Sequence, residues 1–233
     1  MLAVAGLHAH YGRAHILADV ALEVAAGEVA VLLGRNGAGK STTLKAIMGI
    51  VPPSAGSITF LGRPIAGRQS FEIARAGLGY VPEDRRIFAD LTVLENLEVG
   101  RRAAPADSRP WTPERLFALF PSLGAMRERR GQRMSGGEQQ MLAIARTLMG
   151  NPRLVLLDEP SEGLAPVVVQ RMAEAIRALK AEGLSILLSE QSLHFAAAVA
   201  DRAIIIEGGR IRWTGTMPAL LAAEDVRAQY LSV

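Results

Sequence analysis

The feature that most constrains this sequence is a glycine-rich segment that directly follows a short apolar run. Residues 29–33 are uniformly apolar, as in a strand that is buried on both faces. Residues 34–42 read GRNGAGKST and match the phosphate-binding pattern G-x-x-x-x-G-K-[ST]. From Lys40 onwards, apolar residues recur with the spacing of a helix. The segment therefore predicts a strand, a phosphate-binding loop and a helix in direct succession.

The residue types of this loop suit the phosphate groups of a nucleotide. Glycine lets the backbone curl so that several N–H groups point at phosphate oxygens. We expect Lys40 to neutralise the outer phosphates and Ser41 to offer its hydroxyl to Mg²⁺, beside the positive N-terminal end of the following helix. The predicted nucleotide contacts are Gly34, Arg35, Asn36, Gly37, Ala38, Gly39, Lys40, Ser41 and Thr42.

Composition excludes several other classes of protein. With 49% hydrophobic and 21% charged residues, the 233-residue chain is predicted to be globular and not disordered. The absence of cysteine excludes a disulfide framework, a thiolate metal site and a cysteine nucleophile. No apolar run approaches the ~18 residues of a membrane span, and we expect no secretory signal at the N-terminus. The net charge of +3 fits a nucleic acid or an anionic membrane face equally well.

Predicted strands and helices alternate on both sides of a helical middle segment. Apolar runs at residues 154–157 and 184–188 predict buried strands, and a helix that begins at Pro166 separates them. Residues of roughly 85–150 read as mostly helical. Buried strands that alternate with helices predict an α/β fold with a parallel core. We therefore expect one domain over residues 1–233, into which a helical subdomain of roughly 85–150 is inserted.

Two carboxylates follow one of the apolar runs. Asp158 and Glu159 end the run at residues 154–157. An aspartate at such a strand end can hold Mg²⁺, and the next residue can then orient an attacking water. We therefore predict that Asp158 serves the metal and that Glu159 is the general base. A strand that merely emerges in a charged turn is the alternative, and the phosphate-binding loop in the same chain argues against it.

The segment at residues 135–139 reads SGGEQ and opens a strong helical pattern. Ser135 and Glu138 fit a helix capping box. The capping box does not explain Gly136 and Gly137, because glycine is costly at a helix start unless something approaches the backbone closely. The segment lies between the phosphate-binding loop and the Asp-Glu strand. Three motifs in this order, over nearly the whole chain, resemble the ABC-type ATPases.

The resemblance implies a fold and further nucleotide contacts. It implies a P-loop NTPase cassette with a RecA-like parallel-sheet core, a small antiparallel β subdomain and a helical subdomain. Tyr11 looks like the aromatic residue that stacks on adenine in this family. Ser135, Gly136 and Gly137 would contact the γ-phosphate of ATP held by a second copy or a partner subunit. Two cassettes of this family enclose two ATP molecules head to tail.

Two departures from the usual family pattern narrow the resemblance. Glu83 stands where most members carry a glutamine that senses Mg²⁺, which makes it a third candidate for the metal site. Gln191 stands where most members carry a histidine that acts as a switch. Glutamine can donate a hydrogen bond to the γ-phosphate but cannot carry a proton at neutral pH. In both departures this sequence resembles the LivF-type ATPases of branched-chain amino acid importers.

The resemblance implies an ATPase that energises the import of branched-chain or related amino acids, with Glu159 and Gln191 as catalytic residues and ATP and Mg²⁺ as cofactors. Expected partners are membrane-spanning permease subunits, a LivG-type cassette or a second copy of this chain, and indirectly a periplasmic or extracellular substrate-binding protein. The expected location is the cytoplasmic face of the membrane. Import of urea or short amides is an alternative. A soluble ABC protein that acts on nucleic acid is the less favoured one, and we expect no nucleic acid partner.

Overall fold

The protein contains two β-sheets. Central strands of one are apolar without interruption, and strands of the other alternate between buried and exposed residues. The computed structural model describes residues 1–105 and 109–231. Its strands are β1 (Leu2–Tyr11), β2 (Ala14–Val24), β3 (Val29–Leu33), β4 (Ala55–Phe60), β5 (Arg63–Pro64), β6 (Leu78–Val81), β7 (Leu154–Asp158), β8 (Ser185–Glu190), β9 (Arg202–Glu207) and β10 (Arg210–Thr216). Its α-helices are α1 (Lys40–Ile47), α2 (Ser70–Arg75), α3 (Val93–Gly100), α4 (Pro113–Leu119), α5 (Pro121–Ala125), α6 (Gly136–Leu148), α7 (Pro166–Ala181), α8 (Leu193–Val199), α9 (Met217–Ala222) and α10 (Glu224–Tyr230).

The larger sheet has the strand order β10-β9-β3-β8-β7-β6. Its pairs from β9 through β3, β8 and β7 to β6 are parallel, and β10 joins β9 as an antiparallel hairpin. Every residue of β3, β7 and β8 is buried, which explains their continuous apolar runs. Because parallel strands end at one edge of a sheet, the segments that follow β3, β7 and β8 meet there.

The smaller sheet has the strand order β2-β1-β4-β5, and its strands pair antiparallel. Its strands alternate between buried and exposed residues, and the buried residues share a core with α1 and one face of the larger sheet. Helices α3 to α6 lie between β6 and β7 and fall within the segment predicted to be helical. The predicted α/β architecture, with a parallel core, an antiparallel sheet and helices, is confirmed. The subdomain boundaries stay a prediction.

No helix within the described ranges combines the length and the apolar character that a membrane span requires.

A buried side-chain amide holds the chain where it enters α3. Asn96 is fully buried. Its Nδ2 group donates to the carbonyl oxygens of Phe88 (3.0 Å), Leu91 (3.2 Å) and Thr92 (2.9 Å), and its Oδ1 atom accepts from the Phe88 N–H (2.9 Å). One side chain therefore supplements the backbone hydrogen bonds of an irregular segment, in which Leu91 and Val93 also bond to the backbone of residues 129–131.

Replacement of this amide should destabilise the protein. We expect Asn96→Ala to lower the free energy of unfolding by about 1–3 kcal/mol, because the Phe88 N–H loses its side-chain acceptor. The carbonyl oxygens of Phe88, Leu91 and Thr92 lose one donor each and keep a backbone donor. Urea denaturation measures the change. The control is Val99→Ala in the same helix, where the side chain is 56% exposed, with an expected change below about 0.5 kcal/mol. Equal losses for the two variants would contradict the role of Asn96.

Candidate nucleotide-binding and catalytic site

The glycine-rich loop curls from the end of β3 into the start of α1. Gly39 has a φ of +110°, and a Cβ atom there would lie 2.9 Å from Leu17 Cδ2, so glycine is required on both grounds. Helix α1 begins at Lys40, whose Nζ atom donates to the carbonyl oxygens of Gly34 (2.8 Å) and Arg35 (3.1 Å). Lys40 is 3% exposed. The loop thus surrounds a buried cation at a helix N-terminus, which is a site built for anions.

The buried Lys40 ammonium is paired with the predicted catalytic carboxylate. Lys40 Nζ lies 3.0 Å from Glu159 Oε1, and Gln191 Nε2 donates to Glu159 Oε2 at 3.1 Å. The Glu159 N–H donates to the carbonyl oxygen of Ser189 at 3.1 Å. Burial by itself raises the pKa of Glu159, but hydrogen bonds with Glu162 and Lys40 outweigh it and hold that pKa below its usual value. The structure therefore brings Lys40, Glu159 and Gln191 together in one cluster with an ionised carboxylate.

Three hydroxyl groups hold the carboxylate of Asp158, which is 1% exposed. Oδ1 accepts from Ser41 Oγ (2.8 Å) and Ser189 Oγ (2.7 Å), and Oδ2 accepts from the Tyr80 hydroxyl (3.0 Å). Burial, followed by the charge of Asp158, raises the pKa of Tyr80 well above its usual range, so this tyrosine stays protonated and keeps its donor. The hydroxyl oxygen of Ser41 and the carboxylate oxygens of Asp158 are neighbours, and both are hard oxygen ligands of the kind that Mg²⁺ prefers.

Lys40, Ser41 and Glu159 open onto a cleft of about 410 Å³, a volume in the range of small-molecule sites, whereas Asp158 and Gln191 are not among its lining residues. Its lining residues are Tyr11, Ile16, Asn36, Gly37, Gly39, Lys40, Ser41, Thr42, Glu83, Glu159 and Glu162. Tyr11 is 48% exposed and offers a free ring at the mouth. Of the other predicted contacts, Gly34 and Arg35 bind Lys40 through their carbonyl oxygens, and Ala38 is buried with its carbonyl on the Gly209 N–H.

The predicted contacts Ser135, Gly136 and Gly137 do not line this cleft. Ser135 caps α6, and its side chain accepts from the Glu138 N–H while Glu138 reaches back to the Ser135 N–H (2.8 Å). A Cβ atom on Gly137 would lie 2.5 Å from Val168 Cγ1, and one on Gly136 would lie 2.7 Å from an Arg85 nitrogen. Val168 therefore limits the space at Gly137, whereas the atom nearest to Gly136 is the flexible end of Arg85 and does not by itself require glycine.

Sequence reasoning missed several polar residues of the site, of which Glu162 lines the cleft. Its hydrogen bond with Glu159, followed by partial burial and the charges of Glu159 and Glu83, raises the pKa of Glu162 to about 7. Tyr80, Ser189 and Glu190 were also missed. Polar residues at the ends of apolar strands were the signal that could have found the last three.

Comparison with known proteins gives a consistent result. The family model described as "ABC transporter" matches residues 17–162. The chain is 44% identical to the high-affinity branched-chain amino acid transport ATP-binding protein BraG of Pseudomonas aeruginosa, over 99% of both chains. It is also 37% identical to the lipopolysaccharide export system ATP-binding protein LptB of Escherichia coli, over 96% of this chain and 93% of LptB.

Solved structures agree with these matches. An ATP-binding cassette of an ABC transporter in its ADP conformation superposes with a TM-score of 0.82 at 26% identity, over 97% of this chain and 96% of that one. An ATP-binding subunit of an ABC transporter gives a TM-score of 0.80 at 31% identity, over 98% of this chain and 92% of that one.

The Lys40–Glu159 pair yields a prediction about stability without nucleotide. Lys40→Met leaves a carboxylate buried without its cation, and we expect it to lower the free energy of unfolding by about 2–4 kcal/mol. Adding Glu159→Gln removes that charge and should restore most of the loss. Urea denaturation of both single variants and the double variant measures the coupling. Losses that simply add in the double variant would show that the two residues do not depend on each other.

The raised pKa of Glu162 yields a prediction about pH. A carboxyl group whose pKa rises on folding stabilises the fold at low pH, and this contribution is lost as the pH rises through about 7. Glu162→Gln stays neutral, so its melting temperature should gain on the wild type between pH 5 and pH 8. Solvent screens this exposed side chain, so we expect a gain of only about 1–2 °C. Thermal melts without nucleotide measure it, and a difference that is constant across this pH range would refute the assignment.

Proposed function

Because this chain belongs to the ABC transporter family, we propose that it is the LivF-type ATPase subunit of an importer for branched-chain or related amino acids. Membership of the family makes it an ATP-binding and ATP-hydrolysing transporter subunit. The finer assignment is supported by the 44% identity to BraG over 99% of both chains, together with Glu83 and Gln191 at the two positions that depart from the usual pattern. The single observation that carries the ATPase chemistry is the Lys40–Glu159–Gln191 cluster, in which Lys40 and Glu159 line the cleft and Gln191 donates to Glu159.

In this proposal the cleft binds ATP through contacts that the structure has prepared. The ring of Tyr11 at the mouth stacks on adenine, and the backbone of residues 36–39 surrounds the phosphates. The three N–H groups of the Lys40 ammonium already have acceptors, which are two carbonyl oxygens and the Glu159 carboxylate. Phosphate oxygens would replace some of these acceptors, and the replacement of Glu159 would free its carboxylate.

The metal ion in this proposal is Mg²⁺, held by Ser41 and Asp158 with Glu83 beside them. Ser41 Oγ and Asp158 Oδ1 are already 2.8 Å apart, and Glu83 lines the same cleft. One or two carboxylates plus phosphate oxygens make the usual Mg²⁺ site in a protein. When bound, the ion offsets the negative charge that develops on the phosphate oxygens.

Glu159 is the proposed general base. Its pKa lies below the usual value, so it is ionised at neutral pH and can accept the proton of an attacking water. Gln191 donates to Glu159 Oε2 and so fixes the orientation of the carboxylate. Since an amide cannot take up a proton, the proton from water goes to Glu159 and not to Gln191.

A second cassette would complete the site. Ser135, Gly136 and Gly137 lie at the N-terminus of α6, outside the cleft of their own chain. In a head-to-tail pair they would face the γ-phosphate in the cleft of the other cassette, which we propose is a LivG-type subunit or a second copy of this chain. ATP binding would then close the pair and hydrolysis would reopen it.

The proposed permease contact is a groove beside β6. Residues that precede β6 in the chain line one part of it, and residues that follow β6 line the rest. The groove has a volume of about 460 Å³, and its lining includes Phe71, Arg86, Phe88, Arg102 and Arg146. Phe71 and Phe88 are about half exposed, and within the described residues the buried Nη1 atom of Arg146 has no hydrogen-bond partner. These features suit a permease segment that inserts an apolar side chain and an acceptor.

With a permease as partner, the proposed location is the cytoplasmic face of the membrane. A substrate-binding protein on the other side would be an indirect partner, and we propose no nucleic acid partner. The likeness to LptB makes lipid export the main rival within the family. Import of urea or short amides is a second candidate, because the same two departures, Glu83 and Gln191, suit that branch. A soluble ABC protein is the rival outside transport. Glu83 and Gln191 argue against lipid export, but they do not separate amino acid import from urea import, so transport itself must be measured.

Uptake by cells that lack this one protein tests the proposal. Labelled leucine, an aromatic amino acid and urea are supplied, and the cells are rescued with wild type or with Glu159→Gln. We expect leucine uptake to fall and only the wild type to restore it. The purified Glu159→Gln variant should bind ATP within about twofold of the wild type and lose at least about 100-fold in turnover, as for removal of a general base.

Other outcomes assign other functions. Loss of urea uptake alone would move the proposal to the urea branch. A change in outer-membrane lipid with normal uptake would favour export. Co-purification with RNA or DNA and with no membrane protein would favour the soluble alternative. Normal turnover of Glu159→Gln over many cycles would reject Glu159 as the base.

A further inference from the structure

One buried carboxylate connects several segments of the site without facing the cleft. Glu190 is the last residue of β8 and is 3% exposed. Its Oε1 atom accepts from the Ser161 hydroxyl (2.6 Å) and the Ser161 N–H (3.2 Å). Its Oε2 atom accepts from the N–H groups of Gln191 (3.1 Å) and Ser192 (3.4 Å). Four donors from two separate loops therefore converge on a single side chain.

The backbone of Glu190 reaches a third segment. Its carbonyl oxygen accepts from the Gly34 N–H at 3.4 Å, where the phosphate-binding loop begins. Glu190 does not belong to the residues that line the nucleotide cleft. Its carboxylate oxygens are taken up by protein donors, so we expect any effect of its side chain on hydrolysis to pass through the loops that it holds.

The cost of burying Glu190 argues that the link has a purpose beyond packing. Burial raises the pKa of this carboxyl group, and the four donors act against that rise. An apolar side chain would fill the same place without that cost, but it would leave four donors unpaired. Oε1 of Glu190 holds Ser161, and Oε2 holds Gln191 and Ser192. Because the two oxygens belong to one planar carboxylate, a displacement of either loop is transmitted to the other.

We propose that Glu190 is a positioning residue that couples the loop at residues 161–164 to Gln191. The loop at 161–164 is separated from Glu159 only by Pro160, and Gln191 donates to Glu159 Oε2 through its Nε2 atom. A movement of Ser161 would shift the backbone of Gln191 and hence the donor that orients the base. This inference rests on the proposed roles of Glu159 and Gln191 in ATP hydrolysis.

A mutant cycle on the full-length chain tests the coupling. Turnover of Mg-ATP and ATP affinity are measured for Ser161→Ala, Gln191→Ala and the double variant, each with Glu190 intact and with Glu190→Gln. With Glu190 intact, we expect the double variant to lose about fivefold to tenfold less turnover than the product of the two single losses. With Glu190→Gln, which keeps acceptors for only one of the two loops, the losses should multiply.

A split between binding and turnover separates positioning from general damage. Glu190→Gln should lower kcat about tenfold and leave the Kd for ATP within about twofold, because the cleft itself is unchanged. Ser192→Ala is the matched control: it removes the hydroxyl that caps α8 through the Phe195 N–H and leaves the Ser192 N–H on Glu190. It should lower the melting temperature but preserve the coupling between Ser161 and Gln191.

The outcomes separate this inference from the proposed function. Losses that multiply while Glu190 is intact would overturn the coupling, and this arm needs no substitution of Glu190 that could impair folding. Coupling that persists unchanged in Glu190→Gln would overturn it equally. Either result leaves wild-type turnover and amino acid uptake as they are. Failure of the import proposal would instead appear as normal leucine uptake in cells that lack the protein.

Discussion

The buried ion pair between Lys40 and Glu159 is the interaction on which the rest of the site depends. Both side chains are more than nine-tenths buried, and their charged atoms lie 3.0 Å apart. Neither charge could remain there alone, because an unpaired buried ion costs several kcal/mol. The pair therefore stabilises the nucleotide-free protein and places a cation beside a carboxylate at the cleft. If Glu159 is the base, as proposed, a polyanion that takes the cation would also release that carboxylate, and binding would prepare the site for hydrolysis.

The pair exists because of strand register in the parallel sheet. Lys40 follows β3 through the glycine-rich loop, Glu159 follows β7, and β8 lies between these strands and pairs with both. Leu33 is level with Glu190, and Asp158 is level with Ser189. Three loops consequently leave the sheet at the same height and within hydrogen-bond reach of each other. A shift of one residue in β7 would turn Asp158 to the opposite face of the sheet, so the sheet itself sets the order of the polar groups.

Local patterns predicted the parts of the site in which chemistry and chain geometry coincide. The glycine-rich loop, the start of α1 at Lys40 and the cap of α6 at Ser135 could be predicted because each is determined by residues within one short segment. The contacts of Tyr80 and Ser189 with Asp158 could not, because they arise from the pairing of β6, β7 and β8, which one sequence does not reveal. The two glycines at 136 and 137 show the same limit. Their unusual position was evident, but the neighbours that they approach, Arg85 and Val168, are distant in the chain.

Among the described residues, the partners of the Glu159 carboxylate are Lys40, Gln191 and Glu162, none of which is an imidazole. In the proposed mechanism the proton chemistry therefore falls on carboxylates. Gln191 supplies a donor to Glu159 but has no site for an added proton. Glu162 lies on the same side of the cleft, and its pKa of about 7 against the lowered pKa of Glu159 means that a shared proton resides on Glu162. Glu159 is thereby kept ionised, and a second carboxyl group stands beside it with an affinity for protons close to that of an imidazole. The environment of each carboxylate, and not its residue type, decides which of them is the base.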